Sequence, residues 1–113
     1  MGQILHIQSA MDMLGGDLGL LKELLQDFLS EKAFDKAKMQ SLLKRDDEEA
    51  AKYIHYIKGA ARQLGAERLA HSGQELEDVL RHKKAGSIAP LIQAFDSDYR
   101  ETQHAVQEAL SIL

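Results

Sequence analysis

Apolar residues recur every three or four positions along most of the chain, the spacing that places them on one face of an α-helix. After a short opening segment, in which Ser9 can cap a brief helical turn, the glycines at 15–16 interrupt the pattern. Asp17 can then cap a new helix by accepting from its first-turn amides. Because apolar positions continue, more weakly toward the end, from Leu18 to Leu43, we predict one long helix there, with room for a kink.

A second long helix is predicted after the acidic run at 46–49, whose charge suits the positive end of a helix dipole. Its apolar stripe extends from Ala50 to Leu64. Gly65 follows the last apolar position, so we expect it to end the helix in the left-handed conformation that glycine adopts without strain.

Two more helices complete the pattern. One has its apolar stripe at 69–80 with Gly73 inside it, which suggests a closely passing helix backbone. The other begins at Ser87, takes Pro90 in its first turn, and carries an apolar seam at alternating spacings of four and three as far as Leu113. We predict an all-α fold: an up-down-up-down antiparallel four-helix bundle with a short additional N-terminal helical segment.

Composition supports this fold and narrows the function. The 113 residues, 44% of them apolar, suffice for one core, so we expect a single domain over residues 1–113. Few aromatic residues and a single proline favour helices over a sandwich of strands. The net charge of −4 argues against a nucleic-acid partner. Without cysteine, an export signal or a long apolar run, we expect a cytoplasmic protein without membrane association.

The chemistry of the chain centres on His55, which lies just off the apolar stripe of the second long helix. Neutral imidazole is a nucleophile near neutral pH and can accept and release a phosphoryl group. Gly59 lies one turn later on nearly the same bearing, so both positions should be accessible. Lys58 can swing its ammonium toward an oxyanion on His55, while Lys52 and Arg62 add positive potential nearby.

The segment resembles the histidine phosphotransfer (HPt) domain signature. The matching residues are His55, Lys58-Gly59, the apolar-glycine pair at 64–65, and Leu76-Glu77 in the following helix. The similarity extends back to the segment 13–17 and the leucine-rich helix after it, and so covers nearly the whole chain. It implies a domain of two-component phosphorelays.

This resemblance implies that His55 accepts the phosphoryl group, Lys58 stabilises its oxygens and Gly59 keeps the approach open. Glu77 takes the place of a polar acceptor that orients the imidazole, a role that its position at the edge of an apolar stripe also supports. Arg81 faces the phosphoryl group or pairs with Glu77. The expected partners, which would dock around Lys52, His55, Lys58, Gly59 and Arg62, are response-regulator receiver domains and a sensor or hybrid histidine kinase. The chain would be a phosphocarrier without a cofactor of its own, and the receiver would supply magnesium.

Two alternatives stay open at this stage. The bundle could be an interaction module that binds or sequesters a signalling partner without phosphorylation, or the phosphoacceptor domain of a chemotaxis-type histidine kinase. A metal site is disfavoured, since His71 and Glu75 offer only two ligands on one face. The oligomeric state is undetermined. The remaining histidines are expected on the surface: His6, His71, His82 and His104.

Overall fold

The structure is a computed structural model that describes residues 4–113, and within that range its only regular secondary structure is helix. It contains six α-helices there: α1 (Ile7–Met13), α2 (Leu18–Ser30), α3 (Lys36–Arg45), α4 (Asp47–Gln63), α5 (Glu67–Leu80) and α6 (Ile88–Ile112). The all-α prediction is confirmed. The up-down order of the four longer helices stays a prediction.

The single long helix predicted over 18–43 is wrong, because α2 ends at Ser30 and α3 starts only at Lys36. Asp35 caps α3 by accepting a hydrogen bond from the Ala37 amide. The Tyr53 hydroxyl, reaching over from α4, also accepts from the Asp35 amide at 2.9 Å. These contacts give the Asp35 and Ala37 amides acceptors that a continuous helix would otherwise provide. The backbone can therefore turn between α2 and α3 although the apolar spacing continues.

Two predicted helix starts are confirmed by their caps. The Asp17 carboxylate accepts from the Leu20 amide at the start of α2, and the Asp46 carboxylate accepts from the Glu48 amide at the start of α4. Ser9, in contrast, lies inside α1 and does not cap it. Short side-chain acceptors at the helix starts therefore define α2 and α4.

Gly65 ends α4 as predicted, with a φ of +68°. The Ala66 amide donates to the Ala61 carbonyl and the Gly65 amide to the Arg62 carbonyl, the paired bonds of a Schellman turn. A Cβ atom at Gly65 would lie 2.6 Å from the Cβ of His6, so the N-terminal segment also requires a glycine here. The turn fixes the α4–α5 hairpin that carries the candidate site.

The core forms where α4 packs on α2, α3 and α5, and α6 packs on α2 and α5. Phe28 stacks on Tyr99, and Phe34 meets Phe95 edge to face at 4.9 Å between ring centroids. Most of the predicted seam of α6 is buried, namely Ile92, Phe95, Tyr99, Thr102, Val106 and Ala109. Within residues 4–113, no helix is both long and apolar enough to cross a membrane.

Gly73 lies in the buried face of α5, but the reason differs from the predicted one. A Cβ atom there would lie 3.1 Å from the Phe95 ring and 3.2 Å from the Cβ of Lys58. Two side chains, rather than a helix backbone, take the space. The missing side chain of Gly73 thus leaves room for the Lys58 stem beneath the candidate site.

Candidate functional site

His55 lies on the outer face of α4 with 61% of its side chain exposed. Its Nδ1 is 3.1 Å from Oε1 and 3.2 Å from Oε2 of Glu77 on α5. Since an ionised carboxylate only accepts hydrogen bonds, the paired neutral imidazole carries its proton on Nδ1. The Nε2 lone pair is then available to solvent, and it has no hydrogen-bond partner among residues 4–113.

Glu77 is the buried centre of this arrangement, with 8% of its side chain exposed. Besides His55, its carboxylate accepts from Lys58 Nζ at 2.7 Å and from Arg81 Nε at 3.0 Å. Burial alone would raise the pKa of the Glu77 carboxyl, but the hydrogen bonds from Lys58, His55 and Arg81 outweigh it and hold the pKa below its usual range. Glu77 is therefore an ionised acceptor at neutral pH.

Lys58 points inward, which corrects the expectation that its ammonium would swing toward the exposed side of His55. The residue is only 3% exposed, and its Nζ donates to Glu77 and, at 2.8 Å, to Oε1 of Gln74. A buried ammonium needs such partners, and α5 supplies a carboxylate and an amide within reach of the lysine stem. The role of Lys58 at the phosphoryl oxygens stays a prediction.

Arg81, at the end of α5, adopts the second of the two arrangements considered from the sequence. Its Nε donates to Glu77, and its Nη1 forms an ion pair with Glu48 in the first turn of α4. The guanidinium thereby links α4 and α5. It donates to Oε2 of Glu77, whereas Lys58 donates to Oε1. The bonded nitrogens of Arg81 thus contact carboxylates in this structure, and its contact with the phosphoryl group stays a prediction.

The surface beside His55 is open. A Cβ atom at Gly59 would have no atom of the described residues within 4 Å. Lys52 and Arg62 are both exposed on α4, and Arg62 donates to Gln74 at 3.1 Å. On the other side, Lys32 Nζ lies 3.2 Å above the centre of the Tyr56 ring. A shallow depression next to the imidazole is lined by Lys32, His55, Tyr56, Gly59, Ala60 and Gln63.

Several site residues were not singled out from the sequence. Gln74 accepts from both Lys58 and Arg62, and its position one turn before Glu77 on α5 is the signal that could have indicated it. Glu48 was assigned only to the helix start. No pattern in the sequence marks Lys32, because the turn between α2 and α3 alone brings it to Tyr56 on α4.

The other histidines lack such surroundings. His71, His82 and His104 are exposed, each within 4 Å of a single carboxylate. His6 is only partly exposed, because it packs on the turn at Gly65. Residues 4–113 contain no group of three or more His, Asp or Glu side chains arranged to hold a metal ion.

The helical fold and the exposed histidine held by a carboxylate are the features expected of a histidine phosphotransfer domain, and comparison with known families agrees. The family model of the Hpt domain matches residues 23–112, well over half of the chain. The chain therefore belongs to the Hpt domain family, whose function is histidine phosphotransfer in two-component signalling. Searches of curated proteins and of solved structures returned no significant match.

Proposed function

We propose that this protein carries a phosphoryl group on Nε2 of His55 and exchanges it with the aspartate of response-regulator receiver domains. One observation supports this above the others: an exposed imidazole is held through Nδ1 by a buried carboxylate, so that its second nitrogen is the free nucleophile. Gly59 adds an unobstructed approach for a partner surface.

In the transfer step, Nε2 attacks the phosphorus of the receiver's phospho-aspartate, and the phosphorus–oxygen bond breaks with its electrons going to the aspartate carboxylate. The imidazole gains positive charge as the nitrogen–phosphorus bond forms. Glu77, which accepts the Nδ1–H, stabilises that charge. Transfer from His55 to a receiver is the reverse step. Magnesium in this proposal belongs to the receiver domain, and the chain supplies positioning.

The partners in this proposal are receiver domains and a sensor or hybrid histidine kinase, and the place of action is the cytoplasm. Gly59, Lys52 and Arg62 lie around the imidazole on exposed positions of α4, where a docked receiver would contact them. Lys58 is internal in this structure and would contribute beneath the docking surface rather than on it.

The experiment is phosphoryl transfer from a purified receiver domain loaded with labelled acetyl phosphate. We expect acid-labile, base-stable label on the wild-type chain and none on His55→Gln. His71→Gln is the matched control, because His71 is also exposed on a helix beside a glutamate. Label that persists on His55→Gln would refute the assignment.

A second variant tests the approach to the imidazole. Gly59→Gln adds a side chain at an open position of α4, so we expect the fold to be kept and transfer from the receiver to be blocked. Circular dichroism checks the fold. Unchanged transfer to the folded variant would show that partners dock elsewhere, and a folded chain that binds a receiver without being labelled would favour the interaction module.

A further inference from the structure

The pairing of His55 with Glu77 raises a problem of charge. A carboxylate next to an imidazole favours the imidazolium cation, which has no lone pair on Nε2 and cannot attack phosphorus. The same contact that fixes the tautomer therefore works against the reactive form. A site of this kind needs a way to limit the effect of the Glu77 charge.

The structure supplies positive charge on both oxygens of that carboxylate. Lys58 Nζ is 2.7 Å from Oε1, and Arg81 Nε is 3.0 Å from Oε2. Arg81 also holds Glu48, so two acidic and two basic side chains form a balanced group under the imidazole. Without Arg81, the Glu77 carboxylate would keep the Lys58 ammonium as its cationic partner, together with the His55 imidazole.

We propose that Arg81 is a positioning residue for phosphoryl transfer, which compensates the Glu77 carboxylate and thereby keeps the His55 imidazole in its neutral, nucleophilic form at neutral pH. This inference rests on the proposed function, since it assumes that His55 accepts the phosphoryl group. It assigns Arg81 to the imidazole through Glu77 and not to the phosphoryl oxygens.

The geometry favours this role over a simple surface ion pair. Only 23% of the Arg81 side chain is exposed, and two of its three nitrogens contact carboxylates from different helices. The Nη1 contact with Glu48 across the hairpin restrains the guanidinium beside Glu77. A group fixed in this way keeps a constant charge at a constant distance from the imidazole.

The charged side chains around or beneath the imidazole come from three elements. They are Glu48, Lys52, Lys58 and Arg62 on α4, Glu77 and Arg81 on α5, and Lys32 in the turn after α2. Lysine, arginine and glutamate side chains ordinarily keep their charge from slightly acidic to slightly alkaline pH, whereas imidazole titrates there. A change in the pH profile of His55 phosphorylation therefore reports the charge of the imidazole.

The experiment measures the rate of phosphorylation of His55 by phosphoramidate, a small donor that needs no partner, by mass spectrometry of the His55 peptide. Rates are compared at about pH 6 and about pH 8, on either side of the ordinary imidazole titration. The variants are Arg81→Met, Arg81→Lys and Arg68→Met. Arg68 is the matched control, because it links α5 to Glu101 of α6 at 2.8 Å and does not contact Glu77.

We expect the ratio of the rate at acidic pH to that at alkaline pH to fall about three- to tenfold in Arg81→Met relative to the wild type, the effect of one nearby charge. Arg81→Lys should keep the wild-type ratio, because a lysine four residues after Glu77 can still reach it. Arg68→Met should also keep it.

Equal slowing of Arg81→Met at both pH values would overturn the inference, because a purely structural role lowers the rate without changing its pH profile. An unchanged Arg81→Met would overturn it as well. A wild-type chain that is labelled no faster at His55 than at the other exposed histidines would instead refute the proposed function, and this inference with it. The wild type alone therefore tests the proposed function, and the comparison with Arg81→Met tests this inference.

Discussion

The buried pair of Lys58 and Glu77 makes an asymmetric prediction for stability. Replacing Glu77 with Met leaves the Lys58 ammonium, with 4% of its side chain exposed, with only the Gln74 amide oxygen as acceptor. Removing one partner of a buried ion pair costs about 3–5 kcal/mol, and we expect about 3 kcal/mol here because Gln74 remains. Replacing Lys58 with Met leaves Glu77 with Arg81 and His55, so its cost should be nearer about 1 kcal/mol.

The double variant, Lys58→Met with Glu77→Met, measures the coupling between these two side chains. Met at both positions leaves neither charge unpaired, so the loss of unfolding free energy should be smaller than the sum of the two single losses by about 2 kcal/mol. Urea unfolding followed by circular dichroism at neutral pH measures all three variants. If the slope of the unfolding free energy against urea concentration is the same for all variants, unfolding exposes the same surface in each, and the free energies can be compared directly.

A surface pair provides the control for this cycle. Arg68 and Glu101 are about half exposed, and their separate replacement should cost at most about 1 kcal/mol each. The reasoning fails if Lys58→Met is as destabilising as Glu77→Met, or if the two losses simply add. Additive losses would mean that Lys58 is not held by Glu77 in solution, and an equally destabilising Lys58→Met would mean that Arg81 and His55 do not suffice as partners for the Glu77 carboxylate.

Three further predictions concern single residues. Tyr53→Phe should cost about 1–2 kcal/mol and speed hydrogen exchange at the Asp35 amide, because the lost hydroxyl accepts from that amide. Gly65→Ala should cost at least about 1 kcal/mol, as its φ is positive, whereas Gly59→Ala on an open helix face should be neutral or stabilising by up to about 1 kcal/mol in thermal unfolding. The pKa of Glu77 is lowered in the folded chain, so the ionised carboxylate stabilises the fold above the usual glutamate range. This stabilisation is lost as the pH falls through the lower folded value. The unfolding free energy of Glu77→Gln should therefore fall less on acidification than that of the wild type.

Local features of the fold could be predicted where the signal is local. An aspartate that precedes an apolar stripe accepts from amides three or fewer residues away, which is why Asp17 marks the start of α2 correctly. The acidic run at 46–49, predicted from its charge, likewise marks the start of α4, where Asp46 is the cap. Asp35 carries the same local signal for α3, because its carboxylate accepts from the Ala37 amide, but the apolar spacing that continues past it favoured one long helix instead. The break between α2 and α3 also has a cause that no local pattern shows. It depends on the Tyr53 hydroxyl, which bonds to Ala33 and Asp35 from another helix. The apolar spacing of three and four residues continues from α2 into α3 because both helices pack on the same core.

The same distinction holds at the candidate site. The outward position of His55 follows from helical phase alone, and Gly59 is open for the same reason. The direction of Lys58 does not follow from phase, since a long side chain at the edge of a stripe can turn either way. Its partners Gln74 and Glu77 on α5 decide the direction, and Gly73 leaves the space for its stem.

The use of these cations limits what the chain can contribute to chemistry. Lys58 and Arg81 both donate to the Glu77 carboxylate, so this arrangement directs their bonded donors to Glu77 rather than to an incoming phosphoryl group. Under the proposed function, the charge on the phosphoryl oxygens would be met by the receiver's magnesium and by exposed lysines such as Lys52. A site that fixes the tautomer of one imidazole and leaves charge neutralisation to its partner suits a carrier, because it holds the group without supplying what is needed to pass it to water.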